Sequence, residues 1–437
     1  MQVVVLMGGR GERLSGITAG LSKAMVDIQG KPFFYYQLQL MAAAGLNKFV
    51  FCVGYQGEAI KSYFKDGRQY GINIRYLQDG YMPLGTAGAL RNALPLLEDE
   101  FMVAYGDTYL DVDYAEIMYM HSYLRAREKT NATMVVYKNN NRFDRSNVIF
   151  ERGRILRYDK FNFSPAMRYI DSGITLMNKR AVRSTPAGKF SDLSDVYKKM
   201  VAAKQMSGYE VKSRFYEIGR PAALTEFKKF IRLRESRGKE AIFLDRDGTL
   251  NRLCFNRRTG EIDSPLRPEE LRLLPRVISA LQILKSLGYL LIVVTNQPAA
   301  AKGKTSLLQL YRVNNRFKDL FAKNNIFFDD VLICPHYPLS SPSTKESFLI
   351  KPCSCRKPKA GMLNLAIKKF NIKRTDSYIV GDSHTDILAG EAARLKTVLL
   401  GRPGGIATKA MKNRKPDHLF ENLFCFANKL RGTKNNG

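Results

Sequence analysis

No apolar stretch of the 437-residue chain approaches the roughly 20 residues a membrane span needs, so no transmembrane helix and no membrane partner are expected. Residues 1–7 run at once into a glycine loop and lack the pattern of a signal peptide. Cysteine is sparse: Cys52, Cys254, Cys334, Cys353, Cys355 and Cys425 are the whole set. Half of them cluster and the others are scattered, which argues against a disulfide framework and for metal binding in a reducing compartment. These absences point to a cytoplasmic protein. Acidic residues are also few, 40 against 70 Lys and Arg, for a net charge of +30. The basic residues are spread along the chain, without a block of about five or six like charges and without a nucleic-acid motif. A solvated basic surface on an enzyme of phosphorylated substrates accounts for the charge, and no nucleic-acid partner is expected.

What is present is organised around residues 241–251, Ala-Ile-Phe-Leu-Asp-Arg-Asp-Gly-Thr-Leu-Asn. The short apolar run followed by turn residues reads as a buried strand. Asp245 and Asp247 then lie at its end and point the same way. Two carboxylates that close repel unless a cation lies between them, and Mg²⁺ suits oxygen ligands. One carboxylate can attack phosphorus while the other handles a proton. Gly248 allows the tight bend. A structural turn or a calcium loop would share this bare pattern. The length calls for two or three domains, and this stretch divides them. Residues 1–230 form the first, 231–240 a charged linker, and 241–437 the second.

In the first half the strand Val3-Val4-Val5-Leu6-Met7 leads into Gly8-Gly9-Arg10-Gly11-Glu12-Arg13. Close glycines after a strand let backbone N–H groups reach phosphate oxygens, and Arg13 adds charge. The spacing is neither a Walker loop nor the dinucleotide fingerprint. Lys23 and the Gly30-Lys31-Pro32 turn follow. Helical patterns at 33–44, 58–64 and 87–94 alternate with strands at 49–53, 72–77 and 101–105. That order predicts an α/β domain with a mainly parallel sheet whose ligands sit beyond the strands' carboxyl ends. Residues 83–90 form a loop entering a helix, where Gly85 and its neighbours can read a flat base. Asp107 ends the strand at 101–105 and suits a metal bound to a triphosphate.

With these motifs placed, residues 1 to about 230 resemble the sugar-1-phosphate nucleotidyltransferases. The resemblance rests on Gly8-Gly9-x-Gly11, Lys23, Gly30-Lys31-Pro32, Pro83-Leu84-Gly85-Thr86-Ala87-Gly88, Gly106-Asp107, Asp159-Lys160, Asp171-Ser172-Gly173 and Tyr216-Glu217-Ile218-Gly219. It implies that Gly8, Gly9, Gly11, Arg13 and Lys23 hold a nucleoside triphosphate. It further implies that Asp107 and Glu217 hold Mg²⁺, that Lys160 meets the sugar phosphate, and that Asp171 and Gly173 contact the sugar. Departures from the family pattern are Glu12 for Thr, Ser22 and Ala24 for the prolines flanking Lys23, and Glu217 for Asp.

In the second half Leu290-Leu291-Ile292-Val293-Val294 ends in Thr295-Asn296-Gln297, where a hydroxyl can bond a phosphoryl oxygen. Cys334, His336, Cys353 and Cys355 follow within 334–355. Three thiols and an imidazole make a tetrahedral Zn²⁺ site with no position left for substrate, so the zinc is read as structural. It would place Arg356 and Lys357 over the active site. Asp382 and Asp386 follow the strand Tyr378-Ile379-Val380-Gly381. Asp382 completes a Mg²⁺ shell begun by Asp245, and His384 is expected to be exposed. Asp245-x-Asp247-Gly-Thr, Thr295-Asn-Gln, Lys357 and Asp382-x-x-x-Asp386 together resemble the haloacid-dehalogenase phosphatases. The zinc loop narrows the likeness to the branch holding heptose bisphosphate and histidinol-phosphate phosphatases. The resemblance implies Asp245 as nucleophile, Asp247 as acid/base, Asp245, Asp247 and Asp382 as Mg²⁺ ligands, and Thr295, Asn296, Arg356 and Lys357 around the phosphates.

The expected fold is therefore two Rossmann-like, three-layer α/β domains, nucleotidyltransferase-like and then haloacid-dehalogenase-like. The expected function is bifunctional. The second domain removes the 7-phosphate of heptose 1,7-bisphosphate, and the first joins heptose 1-phosphate to a nucleotidyl group from GTP. The alternative is a phosphatase of another metabolite, such as histidinol phosphate, carrying a regulatory or binding first domain.

Overall fold

The computed structural model describes residues 1–8, 22–54, 57–78, 84–235, 238–256, 260–339, 346–404, 411 and 414–435. The chain divides into two compact units, Met1–Arg232 and Leu233–Gly437. The residues expected as a linker begin inside the helix Pro221–Glu235. No helix among the described residues is long and apolar enough to cross a membrane.

In the first unit the apolar run at the start becomes the fully buried strand Gln2–Leu6. Its side chains alternate between two cores, Val3 and Val5 in one, Val4 and Leu6 in the other. Both faces of the sheet are therefore covered, which gives three layers. Each fully buried Val, Leu or Phe side chain there contributes about 1.5–3 kcal/mol. From edge to edge the nine-stranded sheet carries the strands beginning at Asn73, Lys48, Gln2, Glu100, Tyr169, Ala132, Met206, Arg154 and Val148. The first four are mutually parallel, as expected. Tyr169–Asn178 runs antiparallel to both of its long neighbours, so the sheet as a whole is mixed. The cause is local. Val148–Glu151, Arg154–Tyr158 and Tyr169–Asn178 follow one another without a helix between them, and parallel neighbours need a long crossover. The chain leaves Gln2–Leu6 toward Lys48–Val53 on one side and returns through Glu100–Tyr105 on the other. The carboxyl ends of Gln2–Leu6 and Glu100–Tyr105 thus flank the crevice where such sheets bind ligands.

The second unit is built on a six-stranded sheet whose strands begin at Asp330, Leu290, Ala241, Tyr378, Lys396 and His418. Every neighbouring pair is parallel. Ala241 and Phe243 enter one core, Ile242 and Leu244 the other. The sheet order reverses around the central strand Ala241–Leu244, and Asp245 stands at that point. The helix Leu307–Ala322 starts at Ser306, whose hydroxyl accepts the Gln309 N–H (3.2 Å). Its inward face is Leu310, Val313, Phe317 and Phe321, with one polar member, the buried Asn314.

Candidate active sites

In the first unit, Lys23 lies on the turn Lys23–Met25 and its Nζ donates to Asp107 Oδ2 at 2.8 Å. Gly106 makes this approach possible, because a Cβ there would meet Met7 Cγ at 2.8 Å. Glu217 ends the strand Phe215–Glu217, which pairs antiparallel with Thr108–Leu110 and sets Glu217 opposite Thr108. The Ile218 N–H donates to the Asp107 carbonyl at 3.1 Å. The strand pairing therefore brings the two acidic residues together from 110 positions apart (217 − 107). Glu217 has an exposed side chain. Poor solvation first, and Asp107 second, raise its carboxyl to about 7, against the pull of Lys23 and Lys160. Two carboxylates and a lysine in this state can hold a divalent cation and a polyphosphate.

The residues expected to contact the sugar also converge. Asp171 accepts the Gly173 N–H at 2.9 Å, and its own N–H donates to Asn147 Oδ1 at 3.0 Å. Gly173 has φ +81°, and a Cβ there would lie 2.9 Å from the Thr108 side chain, so this bulge needs glycine. Burial raises the Asp171 carboxyl while the charge of Lys160 lowers it, which places the two within each other's field. Gly85 opens the helix Gly85–Ala93 with φ +72°, and a Cβ would strike the Ser191 carbonyl at 2.5 Å. Gly8 is exposed after the first strand, close enough to Gly54 that a Cβ on Gly54 would lie 2.9 Å from the Gly8 carbonyl oxygen. Gly9, Gly11 and Arg13 lie outside the described residues.

The second unit gathers its charges more tightly. Asp245, Asp382 and Asp386 bring carboxylate oxygens within 4.8 Å of one another. Lys357, buried, donates from Nζ to Asp245 Oδ1 and Asp386 Oδ1, both at 2.5 Å, and to the Val294 carbonyl at 2.8 Å. Burial alone would drive Lys357 toward neutrality, but Asp245 and Asp386 outweigh it and keep it protonated. Burial pushes Asp245 up to about 8, opposed by Lys357 and reinforced by Asp386, Asp382 and Asp247. Burial and Asp386 raise Asp382 to about 6. Such crowding of acids is the state that a cation relieves. Glycines make it possible: at Gly248, φ +86°, a Cβ would fall 1.9 Å from Asp382 Oδ2. His384 is exposed, as expected.

Two expected roles are placed differently. Asp247 stands outside the acidic trio. Its carboxylate accepts Arg246 Nη2 at both oxygens (3.0 and 2.9 Å), Arg246 Nε (3.2 Å), Asn251 Nδ2 (2.8 Å) and Gln297 Nε2. Burial works against ionisation here, yet Arg246 and the amides outweigh it and hold the carboxyl below its ordinary range. So held, Asp247 contributes no oxygen to the acidic trio. Asn296, expected on substrate, grips the backbone of Lys357. Its Nδ2 donates to the Lys357 carbonyl and its Oδ1 accepts the Lys357 N–H, both at 3.0 Å. Thr295 is buried, with its hydroxyl accepting Gln297 Nε2 at 2.9 Å. Sequence reasoning missed Arg246, Gln297 and Asn314. The available signal was an arginine set between two aspartates at the end of an apolar strand.

Cys334, His336, Cys353 and Cys355 form a second potential metal group within 4.8 Å. Sulfur separations are 3.6 Å for Cys334–Cys353 and 3.2 Å for Cys334–Cys355, and His336 Nδ1 lies 3.3 Å from Cys355 Sγ. A tetrahedron with metal–sulfur bonds of about 2.3 Å has edges of about 3.8 Å, so these donors are already near their places. All four side chains are buried or half-buried, and none of the cysteines is in a disulfide. Beside them Arg356 Nη1 donates to the His336 carbonyl at 3.3 Å, and its guanidinium carbon lies 5.3 Å from the centre of the Tyr337 ring. Lys302 Nζ lies 4.6 Å from the same ring. Lys304 is engaged by Glu261 (2.8 Å) and Asp263 (2.7 Å).

Comparison with known proteins fits both sites. The nucleotidyl transferase family matches residues 2–233, and the HAD-hydrolase-like family matches residues 354–424. A D-glycero-beta-D-manno-heptose-1,7-bisphosphate 7-phosphatase of Pasteurella multocida is 35% identical over 196 residues, 45% of this chain and 99% of the relative. The phosphatase of the same name from Haemophilus ducreyi is 38% identical over 187 residues, 43% of this chain and 95% of the relative. The crystal structure of HddC from Yersinia pseudotuberculosis complexed with GMP-PN, 22% identical, covers 53% of this chain and 99% of its own with a TM-score of 0.44. The two family resemblances read from the motifs are met, and the chain belongs both to the nucleotidyl transferase family and to the family of the D-glycero-beta-D-manno-heptose-1,7-bisphosphate 7-phosphatases.

Proposed function

We propose that the chain is a bifunctional cytoplasmic enzyme of nucleotide-activated heptose synthesis. Its second unit removes the 7-phosphate of D-glycero-D-manno-heptose 1,7-bisphosphate. Its first unit transfers GMP from GTP to the remaining heptose 1-phosphate. The observation that carries this reading is the buried Lys357 bridging Asp245 and Asp386, with Asp382 in the same group. In the phosphatase, an Asp245 oxygen attacks phosphorus while Asp247, which takes up a proton once the substrate's negative phosphate lies beside it, gives that proton to the departing sugar oxygen. Asp247 then takes a proton from water, whose oxygen displaces Asp245 and releases orthophosphate. Lys357 offsets the charge on Asp245 and its phosphorylated form.

The donor sets fit the metals expected. Asp245 and Asp382 offer only oxygen and suit Mg²⁺, as do Asp107 and Glu217 in the first unit. Bound Mg²⁺ supplies positive charge that offsets phosphoryl oxygens in both reactions. Cys334, His336, Cys353 and Cys355 suit a structural Zn²⁺ that fixes the loop carrying Arg356 and Lys357. In the transferase, Lys23 and Arg13 meet the triphosphate, and Lys160 and Asp171 hold the sugar phosphate. The sugar's phosphate oxygen attacks the α-phosphorus and pyrophosphate leaves. The test is a panel of substrates with the purified chain. Heptose 1,7-bisphosphate should release phosphate faster than histidinol phosphate, and GTP should yield pyrophosphate faster than ATP, CTP or UTP. Preference for histidinol phosphate, or no pyrophosphate with any nucleotide, would overturn the reading.

A further inference from the structure

We propose that Arg246 and Asn314 form a clamp that orients the Asp247 carboxylate for both halves of phosphoryl transfer. The inference rests on the two-step reading above and names positioning residues for it.

Arg246 is the residue next to Asp245, yet its side chain is fully buried. One arm of the guanidinium forks onto Asp247, and the other donates from Nη1 to Asn314 Oδ1. Asn314 is the polar member of an otherwise apolar helix face. Asn251 and Gln297 donate to the two Asp247 oxygens from further sides. The plane of the carboxylate is thereby set by donors from three places in the chain, with Asn314 bracing the guanidinium from a fourth. Taking a guanidinium out of water is costly, and an apolar side chain of similar volume would serve packing as well or better. The cage is also not built for its own satisfaction. Asn314 Nδ2, Gln297 Oε1 and Asn251 Oδ1 are buried without a hydrogen-bond partner among the described residues. Such atoms are rare in folded chains. Their concentration around one carboxylate indicates that its orientation, not stability, is what the cage secures.

The chemistry requires that orientation twice. In the first step the Asp245–phosphorus bond forms, the bond from phosphorus to the leaving oxygen breaks, and that oxygen takes the proton that Asp247 gains when the substrate's negative phosphate lies beside it. In the second, Asp247 takes a proton from water as the new phosphorus–oxygen bond forms and the bond to Asp245 breaks. One carboxylate must face the same axis both times, and proton transfer falls off steeply with misalignment.

Leaving-group dependence tests this. An alkyl phosphate needs its leaving oxygen protonated, whereas p-nitrophenyl phosphate departs as a stable phenolate. Arg246→Met should lower kcat/KM about a hundredfold for an alkyl phosphate and at least tenfold less for p-nitrophenyl phosphate. With the aryl substrate it should show a burst of nitrophenolate, because the water step has slowed. Asn314→Leu should move both readouts the same way by a smaller factor, and Arg246→Lys should fall between. Equal losses on both substrates without a burst would overturn the clamp. Asp247→Asn separates the two ideas. If that variant itself treats both leaving groups alike, the two-step reading fails. If it discriminates and the Arg246 and Asn314 variants do not, only the clamp fails. Should Arg246→Met not fold, Asn314→Leu decides by the same criteria.

Discussion

Glu217 occupies a position where the family pattern has the one-methylene-shorter aspartate, and strand pairing sets it beside Asp107. With its carboxyl raised to about 7, it is protonated below that pH, and the proton competes with any cation for its oxygens. The sign follows: Mg²⁺ affinity at the transferase site should rise, by up to about tenfold per pH unit, as pH climbs toward 7, and level off above it. The Mg²⁺ concentration for half-maximal pyrophosphate release, measured at pH 6, 7 and 8, reads this directly. Glu217→Gln should need more Mg²⁺ and lose the trend; a flat profile in the unaltered chain counts against the assignment. Gly248 gives a second test at this scale. A methyl group there would overlap Asp382 Oδ2 in a left-handed backbone conformation, with a strain of roughly 1–3 kcal/mol. Gly248→Ala should cut phosphate release more than a hundredfold while leaving pyrophosphate release intact. Equal loss of both activities would show that the substitution unfolds more than the site.

At the scale of loops and strands, the Cys/His group controls more than its own residues. Asn296 at the tip of Leu290–Asn296 holds the Lys357 backbone from one side, and the cysteine loop holds it from the other. Cys353→Ser should therefore lower phosphate release and the melting temperature of the second unit, with about one Zn²⁺ per chain lost on metal analysis. Zinc retained at full occupancy would exclude Cys353 as a ligand. This cluster was legible in the sequence because soft donors at short spacing have few other uses. The strand-end acids Asp107, Asp245 and Asp382 were legible for a related reason: an apolar run that stops at a carboxylate fixes where that carboxylate sits. The reversed strand Tyr169–Asn178 was not, since pairing direction depends on partners far along the chain. Nor was the cage around Asp247, whose Gln297 and Asn314 come from 50 and 67 residues downstream (297 − 247 and 314 − 247). The hold of Asn296 on Lys357 was not legible either, because a polar side chain at a strand tip can face substrate or a neighbouring loop, and only the loop's path decides.

For the whole molecule, two sites in one chain imply two reactions that can be silenced separately. Asp245→Asn should abolish phosphate release, an amide being a poor nucleophile, and spare nucleotidyl transfer; Asp107→Ala should do the reverse. The order of the reactions follows from how each site meets phosphate. The phosphatase has one nucleophile and one line of attack, so a bisphosphate must present one end to Asp245 and rest the other elsewhere. Arg356, adjacent to Lys357 and beside the Tyr337 ring that Lys302 also approaches, is the residue we propose for that second contact, since a guanidinium binds phosphate bidentately. The transferase needs the 1-phosphate as its nucleophile, so the phosphatase must spare it. Phosphorus NMR with heptose 1,7-bisphosphate and GTP should show loss of the 7-phosphate first, then capture of the 1-phosphate with release of pyrophosphate. Removing a charge-assisted contact costs about 1.5–3 kcal/mol. Arg356→Ala should then lower kcat/KM for the bisphosphate by about ten- to over a hundredfold, and change turnover of a simple monophosphate much less. Prior loss of the 1-phosphate, or equal damage to both substrates, would reverse the assignment of which end faces Asp245.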